Sequence, residues 1–171
     1  MNYEEIYELF RDVTPLKEDC GLVCGGACCR CDETGETLGM RLFPAEPCRL
    51  NNAQVLPTEN GERLVVCGGR CCREERPLSC RIFPLFPYVT PQGTIKAVYD
   101  PRAFRVCPLI QHAAHVPLRR EFVRSVRKAG RLLMRDAACR AFLQAQSREI
   151  DEFNAFLRLE QERAPICRRK R

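Results

Sequence analysis

The residues of this sequence that are best suited to chemistry are its cysteines. There are 13 among 171 residues, and eleven of them lie between Cys20 and Cys107. A thiolate is a soft donor that suits zinc, copper(I) and iron–sulfur clusters. Two short runs, residues 20–31 and 67–72, hold five and three of the cysteines. Because two turns that each supply closely spaced thiolates can surround a metal, this spacing predicts a metal site.

Both runs belong to an internal repeat. Residues 23–30 read VCGGACCR and residues 66–73 read VCGGRCCR, and RLFP at 41–44 is matched by RIFP at 81–84. The paired glycines of each copy permit positive φ angles, so the backbone can curl closely around the sulfurs. We expect the two turns to converge on a shared inorganic centre. A duplicated scaffold in which only one copy binds metal is the alternative.

The neighbours of the cysteines restrict how such a site is built. Adjacent side chains point in different directions, so one member of each pair, Cys28-Cys29 and Cys71-Cys72, is expected to bind a given metal ion. The other member binds a neighbouring metal or packs as a small apolar group. Four arginines lie beside the cysteines and are expected to offset the charge of the thiolates: Arg30, Arg70, Arg73 and Arg81.

Two more specific metal-binding motifs are also considered. One uses cysteines of the first run, and the other uses histidines that follow Cys107. Cys24, Cys28 and Cys31 have the spacing of the radical S-adenosylmethionine motif, but the proline-rich chain that follows does not suit the β/α barrel of that class. His112 and His115 could place two imidazoles on one helical face toward a metal. The alternative for both histidines is a surface or partly buried position near a helix start. The sequence contains no Walker loop or dinucleotide fingerprint and no Ser/His/Asp arrangement that would indicate hydrolase chemistry.

A disulfide framework fits this sequence poorly. The cysteine count is odd and two pairs are vicinal. The N-terminal segment MNYEEIYELFRDV has acidic residues where a signal peptide has a basic region followed by an apolar one. These features predict a cytoplasmic protein, and in that reducing compartment dense cysteines bind metal more often than they form disulfides.

Three segments carry a resemblance to a known family: CGGACCR, CGGRCCREERPLSCRIFPLFPYV and DPRAFRVCPL. Together they resemble the YkgJ-type family of cysteine-cluster proteins, described as zinc- or iron-chelating, over residues 20–110. Cys31, Cys48 and Cys72 have no clear counterpart in the family pattern, whereas Cys139 and Cys167 are expected to be buried or free thiols. The resemblance implies eight chelating cysteines: Cys20, Cys24, Cys28, Cys29, Cys67, Cys71, Cys80 and Cys107.

The resemblance and the cysteine pattern lead to one main function. We expect a binding or structural module that holds zinc or an iron–sulfur cluster through cysteine thiolates and depends on it for folding. The alternative is an iron–sulfur redox enzyme or accessory protein with an open coordination position.

The elements that position the cysteines are predicted from periodicity and turn residues. Residues 2–13 have the apolar spacing of a helix, and residues 20–80 suggest loops and short turns wrapped around metal. The stretch Tyr88–Tyr99 predicts a hairpin around Pro91-Gln92-Gly93. From Pro117 to about Arg163 the pattern predicts two or three helices, with Asp136 and Ser147 as N-caps.

These elements predict a small α-rich domain. Its centre is expected to be irregular, cysteine-rich and organised by metal, with one short β-hairpin and C-terminal helices packed around it. The chain divides into an N-terminal helical part (1–19), a cysteine-cluster domain (20–110) and a C-terminal helical segment with a basic tail (111–171).

Charge is distributed unevenly along the chain. Residues 1–80 carry 9 basic and 14 acidic side chains, and residues 81–171 carry 19 and 8. The sequence contains no run of 18 apolar residues, so it predicts no membrane-spanning helix. After Pro117, basic residues at helical spacing form a stripe that is either a solvated helix face or a surface for nucleic acid, an acidic protein or the acidic N-terminal half. The stripe comprises Arg120, Arg124, Arg127, Lys128, Arg131 and Arg135.

Overall fold

The fold combines helices with two antiparallel sheets. The computed structural model describes residues 1–29, 39–69, 71–111 and 117–163. Its helices are α1 (Tyr3–Glu8), α2 (Cys20–Cys24), α3 (Leu78–Ile82), α4 (Ala103–Val106), α5 (Pro108–Gln111), α6 (Arg120–Leu133) and α7 (Ala137–Arg163). Its strands are β1 (Met40–Arg41), β2 (Ala53–Pro57), β3 (Arg63–Cys67), β4 (Leu85–Val89) and β5 (Ile95–Tyr99). The predicted α-rich class is therefore wrong, and the domain is mixed α/β.

The first sheet overturns the expectation of loops over residues 20–80. Its strand order is β1-β3-β2, with Val55 opposite Val65 and Ala53 opposite Cys67. Val65 is buried in an apolar cluster with Leu42 and Leu50. These strands are short, β2 is mostly exposed and β3 is mostly half-buried. Their alternation is therefore weak in the sequence, and the surrounding cysteines and glycines hid it. The sheet brings Cys67, the first cysteine of the second repeat, into position at the end of β3.

The second sheet is the hairpin that the sequence predicted. Strands β4 and β5 pair antiparallel, with Val89 opposite Ile95. Thr90 and Thr94 close the turn through a backbone hydrogen bond of 2.9 Å. The first strand begins at Leu85, earlier than the predicted Tyr88. Pro87 lies within this strand, opposite Ala97. An edge strand tolerates a proline because the position of the missing N–H can face away from the partner strand.

The main core joins the two ends of the described chain. Ile6 and Phe10 of the N-terminal segment pack with Phe122 and Leu133 of α6, and the rings of Phe10 and Phe122 meet edge to face. Helix α1 ends at Glu8, so the helix predicted over residues 2–13 is too long.

The long C-terminal helices lie against the hairpin. Asp136 caps α7 as predicted, because its Oδ1 accepts the backbone N–H of Cys139 at 2.9 Å. Ser147 is not an N-cap. It lies within α7, donates to the Leu143 carbonyl at 2.7 Å and accepts the backbone N–H of Val89 at 2.9 Å. No helix among the described residues has the length and apolar character that crossing a membrane requires.

Candidate functional site

The two repeats meet at equivalent glycines. Gly26 and Gly69 both have positive φ angles, of 70° and 76°. A β-carbon added to Gly26 would lie 3.2 Å from the carbonyl oxygen of Gly69, so the two turns are in direct backbone contact. This contact brings the cysteines that follow each glycine into one region of the molecule.

A first group of thiols forms where these turns touch. The Cys29 thiol interacts with those of Cys28 and Cys67, and Cys67 interacts in turn with Cys71. Cys80, on α3, lies close enough to interact with Cys29, Cys67 and Cys71. We call Cys29, Cys67, Cys71 and Cys80 the first thiol group.

A second group lies beside the first. Cys20 and Cys24 are the first and last residues of α2, and each interacts with the thiol of Cys107, which precedes α5. Cys28 and Cys20 pack against the same apolar cluster that contains Cys107. The sulfurs of Cys28 and Cys29 are 3.9 Å apart, so Cys28 borders both groups. We call Cys20, Cys24, Cys28 and Cys107 the second thiol group.

Burial and crowding hold several of these thiols in the protonated form. Burial, with Cys24 nearby, raises the pKa of Cys20 to about 11. Hydrogen bonding with Cys28, together with burial, raises the pKa of Cys29. Burial also raises the pKa values of Cys67, Cys71, Cys80 and Cys107. A cation among these groups would favour thiolates, since thiols release protons when they bind a metal.

Arg76 and Asp19 link the two groups. The Nε of Arg76 donates to the Cys71 sulfur at 3.3 Å, and its Nη1 donates to Asp19 Oδ1 at 2.7 Å. The same Asp19 oxygen caps α2 by accepting the backbone N–H of Gly21 at 3.1 Å. Arg76 holds the pKa of Asp19 below its usual range despite the opposing effect of burial. Sequence reasoning missed both residues, although each stands near a cysteine.

The arginines singled out from the sequence have other partners. Arg73 donates to the carbonyl oxygens of Phe10 and Val13, both at 2.8 Å, and Arg81 donates to the carbonyl oxygen of Arg76 at 2.7 Å. In the described part of the chain neither donates to a thiol, because Arg73 turns toward the N-terminal segment and Arg81 toward the carbonyl oxygens of Glu74 and Arg76. Arg30 and Arg70 lie outside the described residues, as do His112 and His115.

The remaining cysteines occupy separate environments. Cys48 packs near Cys67 and Cys71, whereas Cys72 is exposed. Cys139 is buried in the main core, as expected, with its sulfur 3.3 Å from the Tyr3 hydroxyl. Cys31 and Cys167 lie outside the described residues.

Glu46 is a second group that sequence reasoning missed. It is fully buried, and its carboxylate accepts the Tyr7 hydroxyl at 2.7 Å and the backbone N–H groups of Leu78 and Phe43 at 2.6 and 3.0 Å. Burial raises the pKa of Glu46 in spite of these donors. Since Leu78 begins α3, Glu46 fixes the helix that carries Cys80. An acid two residues after RLFP was the available signal.

The cysteine side chains of the two groups are of a chemical type that binds metal as thiolates. Thiolate sulfurs are ligands of both zinc and iron–sulfur clusters. The Cys28 and Cys29 sulfurs, which belong to the two adjacent groups, are 3.9 Å apart. All the described cysteines are free. No three His, Cys, Asp or Glu side chains in the described ranges are arranged as a metal site. Binding a metal therefore requires the thiol side chains to reorient.

Comparison with known proteins does not extend this description. No protein-family model, no curated protein and no solved structure matches the chain.

Proposed function

We propose that this protein binds metal through its cysteine cluster and that the metal, zinc or an iron–sulfur cluster, stabilises the region around residues 20–110. The observation that carries the proposal is the contact of Gly26 with Gly69, beside which the Cys29 thiol approaches those of Cys28 and Cys67. The two adjacent groups together contain eight thiols. Thiolates suit both zinc and iron–sulfur clusters, so the donor type leaves the choice between them to experiment. The likeness to YkgJ-type sequences supports the same function.

The two thiol groups suggest how many metals are bound. Each group offers four sulfurs, which is the ligand number of a structural zinc site. We therefore expect up to two zinc ions, or one centre per group, for each chain. When bound, the metal would replace protons on the thiols and cross-link α2, the end of β3, α3 and the segment before α5. We propose the cytoplasm as the protein's compartment, because in a reducing compartment dense cysteines bind metal more often than they form disulfides.

Elemental analysis of anaerobically purified protein tests this proposal. Zinc, iron and acid-labile sulfide are measured per chain in the wild type, Cys71→Ser, Cys80→Ser and Cys72→Ser. Cys72 is the matched control because it adjoins Cys71 but is exposed. We expect the first two variants to lose metal and solubility while Cys72→Ser retains both. Full metal retention in both Cys71→Ser and Cys80→Ser would show that the proposed ligands are wrong.

The colour of the purified protein distinguishes a zinc-binding module from an iron–sulfur redox enzyme or accessory protein. A colourless protein with stoichiometric zinc supports a structural or binding module. A brown protein with visible absorbance and acid-labile sulfide supports an iron–sulfur redox enzyme or accessory protein, whose open coordination position would be exposed to substrate.

A second candidate function is binding of nucleic-acid backbone by α6. The six basic residues of the stripe are exposed, and no ion pair joins any of them to a carboxylate in the described part of the chain. The opposite face, with Phe122, Val126 and Ala129, is buried in the main core. The 14 residues of α6 extend about 21 Å, which is long enough to contact several phosphates. The acidic N-terminal residues that are described do not cover this face.

Salt dependence tests the nucleic-acid proposal. Binding to a labelled duplex is measured by fluorescence anisotropy at several salt concentrations. Arg124→Gln/Arg127→Gln should weaken binding and reduce the slope of log K against log salt by about 0.9 for each lost phosphate contact. The control Arg148→Gln/Arg158→Gln removes two exposed charges from α7 instead. Absence of salt-sensitive binding, or tighter binding to polyglutamate than to the duplex, counts against nucleic acid.

A further inference from the structure

A polar cavity lies on the side of α3 that faces α1. Its volume is about 150 Å³. Its lining includes four guanidinium groups, supplied by the N-terminal segment, the loop before β2, the turn Arg73–Glu75 and α3. The lining residues are Glu4, Tyr7, Glu8, Arg11, Arg49, Arg73, Glu74 and Arg81.

Arg81 forms the most buried part of this cavity. Only 5% of the residue is exposed. Its guanidinium donates to the carbonyl oxygens of Arg76, Glu74 and Tyr7, and its carbon lies 4.3 Å from the centre of the Tyr7 ring. No carboxylate pairs with Arg81 among the described residues. The side chain is therefore held in place by neutral acceptors. The nearest buried acid that interacts with it, Glu46, is separated from it by the Tyr7 side chain and forms no ion pair with it.

Arg73 is the second fixed cation. Its side chain is 16% exposed and donates to the carbonyl oxygens of Phe10 and Val13. The carboxylate nearest to it, that of Asp19, is 3.9 Å away and is occupied by Arg76 at 2.7 Å. Like Arg81, Arg73 is positioned by backbone carbonyls, which orient a guanidinium without neutralising it.

The acidic residues of the cavity stand at its exposed edge. Glu8 pairs with Arg11, and Glu4 pairs with Arg49. Both carboxylates are more than half exposed, at 55% and 62%. Arg49 also lies 4.7 Å from the centre of the Tyr7 ring. Glu74 is a third carboxylate of the lining; it is exposed and lies near Arg73. The four arginines of the lining therefore exceed its three carboxylates by one positive charge.

We propose that this cavity binds a small oxyanion of the phosphate class, with Arg73 and Arg81 as its anchors. Guanidinium groups are well suited to phosphate oxygens. The Nε and Nη2 of Arg73 donate to backbone carbonyls, which leaves its Nη1 for an anion. Arg81 retains one N–H on each of Nη1 and Nη2. A buried cation without an ion-pair partner of its own gains most from such an anion. The cavity is smaller than the usual site for a drug-sized molecule, so it suits phosphate itself or the phosphoryl group of a small metabolite. The proposal does not depend on metal binding.

Calorimetric titration of the full chain tests the proposal, in a buffer without phosphate or sulfate. Inorganic phosphate should bind saturably to the wild type with a Kd of about 1 mM or lower. Arg81→Lys keeps the charge but loses the planar fork, and it should weaken binding about tenfold. Because Arg81 is buried, Arg49→Gln provides an exposed second variant, which should weaken binding several-fold without changing the far-UV spectrum. Arg148→Gln removes one exposed charge from α7 and should leave binding unchanged.

Comparing two ligands shows whether the cavity binds the free anion or a phosphoryl group on a small molecule. Tighter binding of glycerol phosphate than of inorganic phosphate assigns the cavity to a phosphoryl group on a small molecule, whereas equal binding assigns it to the free anion. The proposal is overturned if the wild type shows no saturable binding up to about 10 mM phosphate. It is also overturned if Arg148→Gln weakens binding as much as Arg49→Gln.

Discussion

Gly26 and Gly69 occupy equivalent positions in the two repeats, and their backbones are in contact. A β-carbon added to Gly26 would lie 3.2 Å from the carbonyl oxygen of Gly69. Both residues have left-handed backbone conformations, which favour glycine. The approach of Cys29 to Cys67 depends on this contact, because the cysteine pair of each turn begins two residues after its glycine.

Replacing Gly26 by alanine should disrupt the thiol groups. A left-handed conformation costs a non-glycine residue about 1–2 kcal/mol, and crowding against Gly69 adds to that cost. Gly61→Ala is the matched control, since Gly61 has a φ of 75° and no atom within 4 Å of an added β-carbon. We expect Gly26→Ala to lower both metal content and the free energy of unfolding, and Gly61→Ala to lower only the latter. Equal metal content in the two variants would contradict this prediction.

Arg76→Lys should loosen the connection between the thiol groups. Lysine keeps the charge but cannot reach Asp19 and the Cys71 sulfur with a rigid pair of donors. We expect faster transfer of metal to a chromophoric chelator, measured by stopped-flow absorbance. The exposed Arg148→Lys is the control. If the two variants release metal at the same rate, Arg76 has no special role at the site.

Glu46 should make stability depend on pH. Because burial raises its pKa in the folded state, the folded protein holds this proton more tightly than the unfolded chain does. The resulting stabilisation is full below the unfolded pKa, ordinarily 4.5, and is lost as the pH rises through the folded pKa. Glu46→Gln does not titrate. The stability of the wild type relative to Glu46→Gln should therefore fall as the pH rises from 4.5.

Urea denaturation across this pH range measures that difference. The exposed Glu59→Gln variant is compared in the same way and should show no such trend relative to the wild type. A wild type that gains stability relative to Glu46→Gln with rising pH would reverse the sign expected here.

Ser147→Ala should weaken the packing of α7 on β4. The substitution leaves the buried N–H of Val89 without its acceptor, which costs about 1–3 kcal/mol. Ser125→Ala, a half-buried helical serine on α6, should change the free energy of unfolding by less than about 0.5 kcal/mol. Thermal unfolding of the wild type and of both variants measures the loss in the free energy of unfolding that each substitution causes. Similar losses in both would mean that the Ser147 hydrogen bond does not stabilise the fold.

The sequence by itself determined the local features of this protein. The repeat identified the two turns that meet, and strands flanking Pro91-Gln92-Gly93 identified the hairpin. Helical spacing after Pro117 identified the C-terminal helices and their basic face. These features were accessible because turn residues and hydrophobic periodicity act over a few residues.

Only the tertiary structure decided how the thiols are grouped and what supports them. Asp19 and Arg76 are 57 residues apart in the chain, yet their ion pair joins the two groups. The three donors to Glu46 come from three separate segments, and the first sheet pairs strands whose sequence pattern is too short to distinguish them from loops. Such contacts depend on how distant segments pack together, and no local pattern of residues encodes that packing.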